Sequence, residues 1–291
     1  VKRQRYVAPA REAVDPAVFA VPPLAAWAEF TTLLRGPDWP AVDALNAQLS
    51  GASLPRFAAQ DRALLDDGLH YEQRIAERGI VATRERNWHD LFNALVWLRY
   101  PRLKQALNQR QVEEIARMGP RERSRPQCAM THFDEAGVIV RVTDPALLAL
   151  WDAHDWHGLF WRERAAWRDG RIDAAVFGHA LLEHALTPGK LLVGKALVVA
   201  ADADAPWAPI VADLAAGVVR ADLLLDPLEL RPLPLSGIPG WHPHNGDETF
   251  HRSTPCYQPR REGRGYPPPR MLPDMAGPMG ARARPGTGVS A

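Results

Sequence analysis

The chain has 291 residues, 46% of them hydrophobic and 24% charged, with a formal net charge of +1. That balance suits one large globular domain or two small ones. It excludes a wholly disordered chain, a collagen-like fibre and a disulfide-stapled miniprotein. The charge is uneven. From Arg252 onward there are seven Arg and two acids, out of 35 Lys and Arg and 34 Asp and Glu in all. The body before them is therefore slightly acidic and the tail basic, which is no strong nucleic-acid signal, because phosphate affinity needs cations gathered on one surface. Four Lys against 31 Arg is the usage of a GC-rich bacterial genome. Cys128 and Cys256 form no C-x-x-C pair, so a reducing, cytoplasmic setting is expected. Residues 8–17 are too interrupted by Pro9, Arg11, Glu12, Asp15 and Pro16 for a secretory signal. The best membrane candidate, residues 191–201, is short of the roughly 20 apolar residues a span needs and carries Lys195. No integral membrane insertion is expected.

In chain order, residues 1–20 are expected to form an irregular arm, 21–258 a globular domain and 259–291 a disordered basic tail. Six Gly and six Pro between 263 and 291 support the last boundary, so a chain ended near Arg261 is expected to melt unchanged. Asp38-Trp39-Pro40 predicts a helix over 38–50 with Asp38 as N-cap. Alternation over 69–83 around Glu77-Arg78-Gly79 predicts a β-hairpin. Asn87 opens a helix that is apolar almost all round and stops before Pro101, where a second helix runs to about residue 116. Residues 129–133 and 138–142 predict a second hairpin, with Asp134-Glu135-Ala136-Gly137 as its turn and Gly137 at positive φ. Helices are expected at 145–153, 156–167 and 174–186, then a buried strand at 192–200 and a helix at 207–219. A long Pro-rich loop fills 226–258. The expected fold class is α+β, a single domain of helices packed with two β-hairpins and a further buried strand.

The polar residues that this pattern leaves inside are the candidates for chemistry. Asn87 and Asp90 suit an N-cap and its capping-box acid, which leaves His89 and Asn93 on an apolar helix without an explanation. His179 and Glu183 lie four apart on one helical face and could share a metal or a proton. His184 is about 140° round the helix from His179 and cannot join them. Asp134 is a turn acid unless it faces inward. Residues 189–196 fit a phosphate-binding G-x-x-x-x-G-K until Ala196, but the strand follows the motif rather than precedes it, and a P-loop is rejected. The loop from Trp241 to His251 holds three His and two acids, types that suit a transition metal, although a surface loop imposes no ligand geometry. The tryptophans at 151, 156, 161 and 167 belong to the core.

Several of these segments are familiar together. Residues 87–98 (NWHDLFNALVWL), the Phe133-Asp134-Glu135-x-Gly137 turn, residues 176–181 (VFGHAL) and residues 237–241 (GIPGW) resemble a proteobacterial family, domain-of-unknown-function family 3025. The resemblance spans about residues 20–258. Where the family's closing loop carries paired acids after the Trp, Phe250-His251-Arg252-Ser253 stand here, which weakens any role for acids in that loop. The resemblance implies no activity. The residues point to one polar pocket, with His89, Asp90, Asp134 and Glu183 as catalytic candidates and Asn93, His179 and Trp241 as ligand contacts. His179 and Glu183 are the candidate metal pair, and a divalent metal is the candidate cofactor. Metal-assisted hydrolysis of a small molecule is the enzyme reading, with Glu183 or Asp134 as general base. A non-catalytic module for a ligand or protein partner is the alternative.

Overall fold

Asn87 begins the element around which the molecule packs. Its side chain accepts the Asp90 N–H at 3.0 Å and starts the helix Trp88–Arg99. That helix is buried on nearly every side, as its unbroken apolar run demands. Tyr100 leaves helical geometry before Pro101, and a second helix, Pro101–Met118, starts with the proline in its first turn. The computed structural model describes residues 6–51, 54–119 and 122–272.

Two sheets complete an α+β single domain. Strands β1 (Arg56–Ala59) and β2 (Ile80–Thr83) pair in parallel. The larger sheet contains β3 (Gly137–Val142), β4 (Ile172–Val176), β5 (Val193–Ala200), β6 (Arg231–Pro234) and β7 (Arg270–Met271). Its order is β4-β3-β5-β6, with β7 also on β5. β3 runs antiparallel to β4 and parallel to β5. Every residue of β3 is buried, as expected of a central strand covered on both faces. The helices are labelled α1 (Tyr71–Arg78), α2 (Trp88–Arg99), α3 (Pro101–Met118), α4 (Arg125–Ala136), α5 (His179–His184) and α6 (Trp207–Val219). No helix among the described residues is long and apolar enough to cross a membrane.

Neither expected hairpin forms. Residues 71–78 are helical, and Gly79, at φ 63°, is the left-handed cap that ends α1 before β2. Residues 125–136 are also helical: Ser124 and Gln127 close a capping box and Pro126 sits in the first turn. Asp134 and Glu135 therefore lie in the last turn of α4, not in a β-turn, and Gly137 has φ −69°. Residues 172–176 are a strand laddered to β3, so the helix expected over 174–186 starts only at His179. Residues 156–167 are broken by the π-helical turn Gly158–Arg162. The helix near Asp38 is only Val42–Asn46, without a side-chain cap. Within the long loop, residues 231–234 form β6. β5 and α6 occupy the ranges expected of them, and a strand at Val193 supports the rejection of a P-loop.

Glycine is required at two positions that build the site. The N–H groups of Phe177 and Gly178 both donate to the Gly137 carbonyl, at 3.0 and 2.8 Å. This ties the end of β4 to the start of β3. A Cβ on Gly137 would lie 2.2 Å from the Phe133 carbonyl oxygen, and one on Gly178 would lie 2.4 Å from the Gly137 nitrogen. The last turn of α4 and the first turn of α5 are thus held edge to edge.

The described residues of the arm and of the expected tail pack onto the body. In the arm, Val14, Val18 and Phe19 enter the core, and the Arg11 guanidinium lies 5.0 Å from both the Trp39 and Trp88 rings. Residues 259–272 do not form a free tail. Arg231 lies over the Tyr266 ring and donates to the Pro267 carbonyl, and Arg270 is paired with Asp213 while β7 joins β5. Residues 273–291, also placed in the tail, lie outside the described residues. A chain ended at Arg261 strands Asp213, whose side chain is 11% exposed. It is expected to melt about 5 °C or more below the full chain. Equal melting curves would contradict this.

Candidate metal centre

Three helices deliver the site. α2 supplies His89 from its first turn, α4 supplies Asp134 and Glu135 from its last, and α5 supplies His179 and Glu183. The glycine contact at the β3–β4 end fixes α4 against α5, and α2 packs across α5. A cleft of about 490 Å³ opens there. It is lined by His89, Asp90, Asn93, Asp134, Glu135 and His179.

The imidazoles of His89 and His179 meet at their Nε2 atoms, 3.0 Å apart. Glu135 Oε2 lies 3.8 Å from His179 Nε2. One ligand atom from each of His89, Glu135 and His179 falls within 4.8 Å of the others. Two nitrogens bound at about 2.0–2.1 Å to one ion are about 2.9 Å apart at a right angle and about 3.3 Å apart in a tetrahedron. The observed spacing lies inside that range.

The opposite ring atoms face carboxylates. His89 Nδ1 donates to Glu183 Oε2 at 3.0 Å. Buried His179 Nδ1 has no hydrogen-bond partner among the described residues, and Asp134 Oδ2 lies 3.9 Å away. That distance is too long for a hydrogen bond. A carboxylate behind each Nδ1 favours a proton on that nitrogen, which leaves both Nε2 lone pairs available to an ion. With no ion, one proton fits between the two rings. The hydrogen bond to Glu183 raises the His89 pKa, while burial pushes His179 down to about 3. His89 then donates from Nε2 to neutral His179.

The remaining acids divide by partner. Asp90 accepts the Arg84 N–H at 2.6 Å and its guanidinium at 2.7 and 3.0 Å, so it forms an ion pair and not the expected capping box. Lys104, 4% exposed, donates to Asp134 at 2.6 Å and to Asn93 at 2.9 Å. Burial alone would raise the Asp134 pKa, but the Lys104 ammonium beside it brings it below the usual carboxylate range. Asn93 also donates to the Tyr71 hydroxyl at 2.8 Å, so its amide serves the cleft wall. Glu135 and Glu72, by contrast, are pushed up by burial. Glu72 lines the same cleft and, among the described residues, takes only Asn108 as a side-chain hydrogen-bond partner, at 2.6 Å.

The ligand cluster thus joins His179 to His89 and Glu135 rather than to Glu183. Glu183 stands behind His89, and Glu135 completes the ligand cluster. Trp241 does not line this cleft and is partly buried against the core. The nearby loop histidines serve the fold: His242 bonds to the Gly189 carbonyl, and His251 to Tyr257 and the Asn245 carbonyl. His184 meets the Tyr6 ring edge-on. Glu135, Lys104, Tyr71 and Glu72 were not among the expected site residues. The signal for Glu135 was Ser124-x-x-Gln127 with Pro126, which marks a helix start and carries both acids onto a helix end.

Comparison with known proteins gives a family and no relative. A family model described as "Protein of unknown function (DUF3025)" matches residues 55–261. No curated protein and no solved structure matches the chain. The match covers well over half of the sequence, and the chain belongs to this family.

Proposed function

We propose that this member of the DUF3025 family is a metal-dependent hydrolase whose ion is held by His89, Glu135 and His179. The convergence of these three side chains from three helices carries the reading. Two histidines and one carboxylate leave coordination positions open for water and substrate, as in catalytic zinc sites. The ion would supply Lewis acidity and a water acidified enough to attack at neutral pH. Glu183 orients His89 through Nδ1, and Asp134, itself fixed by Lys104, faces Nδ1 of His179. Neither is free to act as the general base. We assign proton transfer to Glu72, because among the described residues its carboxylate forms no ion pair and burial raises its pKa.

Metal analysis of natively purified protein is the test, followed by chelation and addition of Zn²⁺, Mn²⁺ or Fe²⁺. One tightly held ion per chain is expected, together with restored hydrolysis within a panel of aryl esters, phosphoesters and amides. Iron alone, held with oxygen-dependent activity, would move the same three ligands to oxygen activation. A chain that takes up none of these ions at equimolar concentration would sink the metal reading. In the Glu72→Gln variant, ion uptake is expected to persist while turnover falls about 100-fold or more.

A further inference from the structure

A second cleft, of about 630 Å³, shares no lining residue with the metal centre. Its floor is a piece of the larger sheet, where Val193 pairs with Pro234 and Lys195 with Pro232. Val193, Pro232 and Pro234 line the cleft with Leu191, Trp156 and Pro255. Val193 is 37% exposed although Gly194 and Ala196 beside it are buried, so the floor is bare apolar surface within a strand.

The polar groups of the wall are spent on one another. His154 Nδ1 and Trp156 Nε1 both donate to the Gln258 carbonyl, at 3.0 and 2.8 Å. His154 Nε2 meets the Tyr266 hydroxyl at 2.7 Å, and the Gln258 amide donates to the Pro255 carbonyl at 2.7 Å. Two cations are left over. Arg261 lines the cleft. Lys195 stands outside the lining itself but beside it: it is half-buried, pairs with the lining residue Pro232 and, two residues along β5 from Val193, faces the same side of the sheet. Among the described residues, neither side chain has a hydrogen bond or an ion pair. Burial, then Arg264 and Arg261, push the Lys195 pKa down, so the charged groups that reach it are themselves cations. A half-buried ammonium without a counter-charge is costly and calls for an anion.

We propose that this cleft binds a small amphipathic carboxylate, with its apolar body over Val193, Pro232, Pro234 and Trp156 and its carboxylate at Lys195 and Arg261. The volume is that of a small-molecule site. The apolar floor excludes a purely inorganic anion as the best occupant, and the two uncompensated cations exclude a neutral lipid.

Calorimetric titration of the full chain with decanoate, decanol and acetate tests the assignment. Decanoate is expected to bind one to one, about tenfold or more tighter than either decanol or acetate. Lys195→Gln should weaken decanoate about tenfold and leave decanol unchanged. Arg261→Gln, at an exposed position, gives the same readout if Lys195→Gln fails to fold. His89→Ala should leave decanoate binding intact, which separates this cleft from the metal centre. Decanoate binding that is absent, no tighter than decanol, or indifferent to both cation variants overturns the proposal.

Discussion

His179→Ala is expected to lower divalent-ion affinity roughly a thousandfold, since one of three protein ligands is lost. The ion-free protein should remain folded. His179 is buried, but among the described residues only its Nε2 is hydrogen-bonded, and its Nδ1 faces Asp134 beyond hydrogen-bond distance. Removing an unsatisfied polar group recovers part of the cost of the cavity left behind. The contrast is therefore sharpest in the presence of metal. An ion at about 100 times its Kd stabilises the native chain by about 2.7 kcal/mol, which raises the melting temperature by about 5 °C in a domain of this size. The variant should show no such rise. Glu183→Gln should lose only about 10–100-fold, as expected of a group that orients a ligand rather than binding the ion. If Glu183→Gln lost as much affinity as His179→Ala, the assignment of Glu183 to a supporting position would fail. If both variants kept the metal-induced shift, the ion would have to lie elsewhere.

The parts of this centre that were legible in the sequence are those where a polar residue interrupts an apolar surface. His89 and Asn93 on α2 required partners, and the spacing of His179 and Glu183 placed both on one face. The ligand role of Glu135 was hidden by local ambiguity. Val138 to Val142 is a strand, and the acids before it suit a hairpin turn as well as a helix end. Only the capping box at Ser124, ten residues upstream of Asp134, separates the two. The same ambiguity hid α1, because Gly79 can serve a β-turn or a left-handed helix cap. Lys104 was hidden for a different reason. Its burial depends on Asp134 and Asn93 arriving from α4 and α2, and no local pattern in α3 announces it. The C-terminal segment misled through composition. Its Pro and Gly content argues against a core, but Tyr266 and Arg270 are enough to anchor it to the body.

The largest structural effect is expected from a single methyl group at Gly178. A Cβ there would fall 2.4 Å from the Gly137 nitrogen and 2.5 and 2.6 Å from the Cα and carbonyl carbon of Ala136. All three are backbone atoms, which cannot swing aside as a side chain could. Gly178→Ala must therefore push the start of α5 away from the end of α4, against the two hydrogen bonds that the Gly137 carbonyl accepts. The cost should be about 2–4 kcal/mol, the scale of overpacking a close-packed interior. The displacement bears directly on the centre, because His179 follows Gly178 and Glu135 lies two residues before Gly137. The two ligands are carried by the segments forced apart, so ion affinity should fall together with stability. Urea unfolding of the ion-free chain and a metal titration of the folded variant measure the two effects separately. Gly178→Ala with wild-type stability would show that the two helix ends do not meet as closely as described. Lost stability with unchanged ion affinity would show that the β3–β4 contact holds the fold together without setting the spacing of the ligands.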